Sequence, residues 1–143
     1  MSRGKKAYAQ YEHQLSEAIS RLSQLGEELK AAIDADAESY KSVMDAYKKA
    51  KESAAADGLI TTALKQATMV PLGVAERARE VGRIAEELRP ITNPNMKSDL
   101  VTASALARAA IEGALANVEI NLESLKDEKF TAKVRAQVVA LQK

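Results

Sequence analysis

Apolar residues recur at intervals of three and four positions along almost the whole chain, which is the spacing of one face of an α-helix. The first run extends from about residue 7 to about residue 49, and its apolar stripe comprises Leu15, Ile19, Leu22, Leu25, Leu29, Ile33, Tyr40, Val43 and Tyr47. Long helices with such stripes bury them against one another. The sequence therefore predicts an all-α fold, an up-and-down helical bundle with long, partly kinked helices.

Three further helices are predicted, and their ends carry local signals. They span about residues 59–88, 98–124 and 128–141, with a small polar connection at 51–58. Pro71 predicts a kink or a break in the second helix, and a further break near residues 31–37 of the first is open. Pro90 ends the second helix, because a residue before proline avoids the α region. Ser98 and Asp127 are predicted N-caps of the last two helices.

Composition excludes several classes of function. The 143 residues suffice for a single helical domain, and 21 basic against 20 acidic residues leave a net charge of +1, so no nucleic-acid partner is expected. The chain has no cysteine and one histidine, His13, which excludes disulfides and the usual zinc sites. No apolar run approaches the roughly 20 residues that span a bilayer, and no signal peptide is visible. We expect a cytoplasmic protein without membrane contact and without a metal.

Asp36 lies within the apolar stripe of the first helix. It follows Leu29 by seven positions and Ile33 by three, and it precedes Tyr40 by four. A carboxylate on a buried face resists ionisation, which makes Asp36 a candidate general acid or base. The alternative is that the helix bends here, so that Asp36 is solvated, or that it pairs with an arginine.

A polar turn at Asn93, Asn95, Ser98 and Asp99 opens the third helix. Asn-Pro-Asn favours a turn and Ser-Asp favours a helix start, which is the structural interpretation. The same density of amide and hydroxyl groups beside a helix N-terminus suits a polar heterocycle or an anion.

Asn117 and Asn121 lie one turn apart on one face of the third helix, together with Gly113. Asparagine is unfavourable inside helices because its amide competes for backbone hydrogen bonds. These two residues either bridge neighbouring helices or recognise a polar substrate, since an amide offers a donor and an acceptor side by side.

Arginines and glutamates alternate along the second half of the second helix. Arg77, Arg79 and Arg83 could meet a polycarboxylate, but the intervening glutamates favour a solvated face with salt bridges.

Several of these motifs, in this order, resemble the cyclodeaminase/cyclohydrolase family of folate enzymes, which includes the C-terminal domain of formimidoyltransferase-cyclodeaminase. The similar segments cover almost the whole chain: Gly4-Lys5-Lys6-x-Tyr8, Asp36-x-x-x-Tyr40, Val70-Pro71, Asn93-x-Asn95-x-x-Ser98-Asp99, Asn117-Val118-x-Ile120-Asn121-Leu122 and Asp127-Glu128-x-Phe130.

The resemblance implies a helical homodimer that acts on a one-carbon adduct of tetrahydrofolate. The reaction is either cyclodeamination of the 5-formimidoyl form or hydrolysis of the 5,10-methenyl form, and neither needs a metal or another cofactor. Asp36 or Asp99 would transfer the proton. The implied substrate-binding residues are Tyr40, Asn93, Asn95, Ser98, Asn117 and Asn121.

The chain departs from the family pattern in two places. Thr92 replaces a glycine before the first asparagine of the turn. The family also begins with a helix entered through a Pro-Gly-Gly-Gly-Ser-like segment, so we expect that this N-terminal helix is missing and that Met1–Lys6 is its end. The alternative functions are a non-catalytic bundle that serves interaction or oligomerisation, and a relative with degenerate chemistry.

Overall fold

The computed structural model describes residues 2–52 and 57–143, and helices make up most of both ranges. Within them four α-helices follow one another: α1 (Glu12–Glu52), α2 (Asp57–Leu88), α3 (Lys97–Glu123) and α4 (Glu128–Leu141). Short 3₁₀ helices precede α1 and α3, at Lys6–Tyr11 and Pro94–Met96. The described residues contain no strand, so the predicted all-α helical bundle is confirmed.

Of the two predicted N-caps, the structure confirms Asp127 and not Ser98. The carboxylate of Asp127 accepts a hydrogen bond from the backbone N–H of Phe130 at 3.0 Å, and α4 begins at Glu128 as predicted. The predicted cap at Ser98 is wrong. The 3₁₀ turn that ends at Met96 leads directly into α3, so the helix begins at Lys97 and Ser98 lies in its first turn.

Neither long helix is broken within the described ranges, so the break predicted for the second helix and the possible break in the first are absent. Helix α1 continues through residues 31–37, and α2 continues through Pro71 to Leu88. The connection predicted at 51–58 is shorter, because Lys51 is still helical and Gly58 already belongs to α2, while residues 53–56 lie outside the described ranges. Residues 2–5 form a turn rather than the end of a helix.

Helix α2 is the centre of the fold, because α1, α3 and α4 all pack against it. Between α2, α3 and α4 lies a core in which Leu72, Ala75, Val118 and Val134 are almost fully buried. Helix α1 packs on α2 through residues such as the fully buried Leu25. Within the described part of the chain, α1 does not pack against α3.

Two arginine–glutamate contacts fix α1 antiparallel to α2. Arg21 donates from Nε and Nη2 to the two carboxylate oxygens of Glu80, at 2.7 and 2.6 Å. Two turns further along α1, Glu28 accepts a hydrogen bond from Nε of Arg77 at 2.6 Å. The hydrogen bond from Arg21 lowers the pKa of Glu80, and the hydrogen bond from Arg77 lowers the pKa of Glu28.

Pro71 creates a gap in the backbone hydrogen bonding of α2. Proline has no N–H, so the carbonyl of Ala67, four residues earlier, loses its donor within the helix. The Nδ2 of Asn121 on α3 lies 3.0 Å from this carbonyl oxygen and donates in its place. Ala67 is buried, so without Asn121 a polar group would lack a partner inside the protein. The proline and the asparagine therefore form one structural unit.

Four of the nine residues in the stripe predicted for the first helix are exposed. Ile33 and Tyr40 are 70% and 68% exposed, and Ile19 and Tyr47 are exposed as well. The reason is that α1 packs on one helix only, and a stripe with both three- and four-residue steps is wider than a single helix contact. Asp36 lies on this outer side and is exposed, so its predicted burial is wrong.

Replacing Asn121 by alanine should destabilise the protein by about 1–3 kcal/mol, because the carbonyl of Ala67 then lacks a donor. In a Pro71→Ala background the new N–H of residue 71 can supply that donor, so Asn121→Ala should cost much less. Urea unfolding of the four proteins of this double-mutant cycle measures the difference.

Asn117→Ala is the matched control, because Asn117 is exposed and its Nδ2 donates only to the carbonyl of Gly113 in its own helix. It should leave stability unchanged or raise it slightly through alanine's helix propensity. An equal loss for Asn121→Ala with and without Pro71 would contradict the coupling.

The free energy of unfolding should fall in acid as the glutamates of the α1–α2 contact become protonated. Glu80 has a folded pKa below its ordinary value of 4.5, so its contribution is present above that value and is lost as the pH falls through the lower, folded pKa. Glu80→Gln should therefore flatten the acid limb of stability against pH, measured by urea unfolding between about pH 7 and pH 3.

Glu27→Gln serves as the control for this titration. Glu27 is exposed and pairs with Lys30 on the same helix, so it does not join α1 to α2. An acid limb that is the same in Glu80→Gln as in the wild type would show that the contact does not link stability to pH.

Candidate functional site

The turn before α3 is held from within and from the N-terminus of the chain. The Oδ1 of Asn93 accepts a hydrogen bond from the backbone N–H of Asn95 at 3.0 Å, as turn chemistry predicts. The hydroxyl of Ser2 accepts from the backbone N–H of Asn93 at 2.8 Å and donates to Sδ of Met96 at 3.7 Å. Ser2 is only 3% exposed. No local sequence pattern indicated this contact, because its partners are more than ninety positions apart.

The polar side chains of this turn face solvent. Asn95, Ser98 and Asp99 are exposed, and Asp99 lies in the first turn of α3, where the helix dipole favours a negative charge. Thr92, which replaces the glycine of the family pattern, is buried, and its hydroxyl donates to the carbonyl of Leu88 at 2.8 Å. Thr92 therefore closes the end of α2, while the asparagines and Asp99 remain accessible to a ligand.

The two asparagines near the end of α3 have different environments. Asn121 bridges to α2 through the carbonyl of Ala67, which is the structural interpretation of the sequence pattern. Asn117 is exposed, and its Nδ2 donates to the carbonyl of Gly113 at 3.2 Å. In each residue the amide nitrogen is engaged with the backbone, which leaves the oxygen as the group that a ligand would meet.

Asp36 and Tyr40 lie one turn apart on the outer side of α1. Both are exposed, and Asp36 forms no ion pair within the described ranges. The hydroxyl of Ser39 donates to the backbone carbonyl of Asp36 and not to its carboxylate. The carboxylate is therefore accessible, with no protein group that holds it in one orientation.

The three groups of predicted site residues do not meet within one chain. Asp99 and Asn117 are eighteen residues apart on one helix, which corresponds to about 27 Å at 1.5 Å per residue. Asp36 and Tyr40 are on α1, which does not pack against α3 in the described part of the chain. No hydrogen bond or ion pair in the described ranges joins Asp36 or Tyr40 to Asn117 or Asn121.

The segment from Asp127 to Phe130 has a structural role. The carboxylate of Asp127 accepts a hydrogen bond from Nζ of Lys65 on α2 at 2.5 Å, and this bond, with that from the N–H of Phe130, lowers the pKa of Asp127. The ammonium of Lys65 also lies 5.4 Å from the centre of the Phe130 ring. These contacts attach the start of α4 to α2.

A groove of about 1220 Å³ lies between α2, α3 and α4. We call it the arginine groove, because its rim carries Arg79, Arg83, Arg89, Arg108 and Arg135. Its floor is apolar and includes Ala107, Ile111 and Leu115. None of the eight predicted site residues lines the groove, although their neighbours Val101 and Ala116 do. The sequence pattern singled out Arg79 and Arg83 but not the groove, because the groove forms only where three helices meet.

Among residues 2–52 and 57–143, no group of three His, Cys, Asp or Glu side chains is placed to hold a metal ion. No helix in these ranges is both long and apolar enough to cross a membrane.

Comparison with known proteins identifies relatives of the whole fold. The family model described as formiminotransferase-cyclodeaminase matches residues 1–140. The formimidoyltransferase-cyclodeaminase of Gallus gallus is 32% identical over 145 residues, a match that covers 99% of this chain and 27% of the relative. The methenyltetrahydrofolate cyclohydrolase of Methylorubrum extorquens is 36% identical over 131 residues, covering 89% of this chain and 63% of the relative.

A solved structure shows the same arrangement of helices. The crystal structure of formiminotetrahydrofolate cyclodeaminase from Thermotoga maritima superposes with a TM-score of 0.91 at 28% identity, over 99% of this chain and 68% of that one. The chain thus spans about a quarter to two thirds of the length of these relatives. With a family model that matches nearly every residue and a shared fold, the chain belongs to the formiminotransferase-cyclodeaminase family.

Proposed function

We propose that this chain acts as an enzyme on a one-carbon adduct of tetrahydrofolate. The observation that carries the proposal is the match of almost the whole chain to relatives named for two related reactions, a cyclodeaminase and a methenyltetrahydrofolate cyclohydrolase. In the first reaction N10 attacks the formimidoyl carbon on N5 and ammonia leaves, which forms the methenyl bridge. In the second, water adds to that bridge and the ring opens to the 10-formyl form.

Both reactions pass through a tetrahedral carbon and require a proton to be moved to or from nitrogen or water. Asp99 is one candidate for this transfer, because it lies beside the amides of Asn93 and Asn95 and the hydroxyl of Ser98 at the start of α3. Asp36, with Tyr40 one turn away, is the other. Folate is the substrate in this scheme, and neither reaction requires a metal or a second cofactor.

The remaining predicted residues would bind the substrate through the groups that the fold leaves available. The side-chain nitrogen of Asn93 and the side-chain oxygens of Asn117 and Asn121 are not used in the hydrogen bonds described above. Amide groups of this kind match the alternating donors and acceptors along the edge of a pterin. Their spread over the chain means that one copy offers several partial sites.

We infer that a second copy of the chain completes the site in a cytoplasmic homodimer. Exposed apolar side chains remain on the outer sides of both α1 and α3: Ile33, Tyr40, Met44, Tyr47, Leu106 and Ile120. Exposed apolar faces of this size favour association. A second copy that covers this face would also exclude water from Asp36 or Asp99. Exclusion of water strengthens the interactions of a general acid or base with its substrate.

A direct assay follows the absorbance band of 5,10-methenyltetrahydrofolate. Loss of the band above the uncatalysed rate indicates the cyclohydrolase reaction. Appearance of the band from 5-formimidoyltetrahydrofolate, with release of ammonia, indicates the cyclodeaminase reaction. A folded protein that gives neither change would contradict the proposal. The alternative is then a non-catalytic bundle that serves interaction or oligomerisation, which the separation of the predicted residues along one chain favours.

Asp99→Asn and Asp36→Asn distinguish the two candidate carboxylates. The variant that lacks the proton-transferring group should lose about 10²–10⁴-fold in kcat while its Kd for folate changes little, because asparagine keeps the shape but cannot exchange a proton. Asp34→Asn is the matched control and should retain wild-type kcat, because Asp34 is also exposed on α1 but points to a different side of the helix from Asp36. Near-normal turnover in both Asp99→Asn and Asp36→Asn would exclude a carboxylate shuttle at these positions.

Tyr40→Glu should convert the proposed dimer to monomers, because it places a charge in the middle of the apolar face of α1. Sedimentation velocity on the wild type and the variant measures the change. Ser23→Glu introduces the same side chain at an exposed position on another side of α1 and should leave the dimer intact. A monomeric wild type, or a dimeric Tyr40→Glu variant, would contradict an interface on this face.

A further inference from the structure

The positive charge of this protein is concentrated at the arginine groove. Five of the eight arginines in the sequence line it, but only one of the thirteen lysines does. Three glutamates are also present, so the five arginines exceed the acidic side chains by two, whereas the whole chain has a net charge of +1. Arginine is the side chain that binds carboxylates through two parallel hydrogen bonds, which makes this bias informative.

The helix register brings several of these guanidinium groups to one stretch of the groove. A Cβ placed on Gly82 would lie 3.4 Å from Cβ of Ala107, so α2 and α3 approach closely at this level. Arg83 and Arg108 follow these two residues directly, and Arg79 is one turn from Arg83 on α2. Three cationic side chains therefore lie within about one helical turn along the groove.

Three of the five groove arginines have weak or exposed partners or none, whereas Arg79 donates to the carbonyl of Ala140 at 2.8 Å and Arg89 donates to Glu86 at 2.7 Å. Within the described ranges Arg108 forms no hydrogen bond or ion pair. Arg135 reaches Glu119 only at 3.4 Å, and Arg83 pairs with Glu87 of its own helix on an exposed surface. Exposed pairs of this kind contribute little, so an anionic ligand can replace them at small cost.

One end of the arginine groove lies next to the polar turn before α3. Arg89 and Val101 line it on either side of the turn that holds Asn93 and Asp99, and from there the lining continues along α3 to Glu119. A ligand with one end at the turn could extend its remaining part over the apolar floor at Ala107 and Ile111. This combination of an apolar floor and a cationic rim fits an aromatic ring joined to carboxylates.

We propose that the arginine groove binds the aminobenzoyl-glutamate half of the folate substrate, with Arg83 and Arg108 holding the glutamate carboxylates. This inference rests on the proposed function and extends it, because it assigns the non-reacting half of the substrate to a groove that the relatives' names do not indicate. The sequence pattern named Arg83 as a residue that could meet a polycarboxylate but favoured a solvated face, and it did not indicate Arg108. It also directs the reacting half of the folate towards the turn at Asp99.

Binding of N-(4-aminobenzoyl)-L-glutamate to the full chain, measured by isothermal titration calorimetry, tests the groove without the pterin. We expect saturable binding that weakens at higher salt and is lost with 4-aminobenzamide, which has no carboxylate. Arg108→Ala and Arg83→Ala should each weaken it by about tenfold to a hundredfold, and Arg108→Lys should weaken it less than Arg108→Ala. Arg3→Ala removes an exposed arginine outside the groove and should change nothing.

Three results would overturn the proposal. The first is no binding by the wild type. The second is equal affinity of Arg83→Ala, Arg108→Ala and the wild type. The third is a change of oligomeric state with unchanged affinity in Arg108→Ala, which would show that protein covers the groove. Turnover of 5,10-methenyltetrahydrofolate and of 5-formimidoyltetrahydrofolate is measured on the same preparations. It distinguishes failure of the groove inference from failure of the proposed reaction. Turnover without groove binding removes this inference alone, and groove binding without turnover removes the proposed reaction alone.

Discussion

The hydrogen bond from Asn121 to the carbonyl of Ala67 joins α2 and α3, the two helices that contact each other most in the described ranges. Pro71 removes a backbone donor from the middle of α2, the helix against which all the other α-helices pack. A buried carbonyl without a donor is unfavourable by more than a typical hydrogen bond contributes, so α3 must bring an amide to this point. This hydrogen bond fits one register of α3 on α2, and the close approach of Gly82 to Ala107, about four turns away, belongs to the same alignment.

Because α1 and α3 pack against α2 without contacting each other in the described ranges, the predicted site residues are divided between separate helices. The contacts of Arg21 with Glu80 and of Glu28 with Arg77 hold α1 on α2, away from α3. The residues that we propose to bind folate therefore lie on separate elements, at the turn before α3, near the far end of α3 and on the outside of α1. The apolar faces of α1 and α3 are left uncovered, and a second copy that covers them would bring separate groups together.

Local signals in the sequence predicted the start of α4 correctly and the start of α3 incorrectly. The cap at Asp127 is contained within four residues, and α4 begins where it indicates. The all-α class follows from periodicity that extends over the whole chain. Long-range partners were not predictable in this way: Pro71 and Asn121 were each noted, but nothing in the sequence paired them. The prediction that Asp36 is buried was wrong, because a wide apolar stripe does not reveal which of its sides meets the neighbouring helix.

The dependence of specific activity on protein concentration tests most directly whether one chain carries a complete site. Turnover of 5,10-methenyltetrahydrofolate and of 5-formimidoyltetrahydrofolate would be measured over a dilution series, with the fraction of dimer determined at each concentration by mass photometry or sedimentation. If a second copy completes the site, specific activity falls on dilution in parallel with the dimer fraction. Specific activity that stays constant while the dimers dissociate would show that a single chain is sufficient and would contradict the shared site.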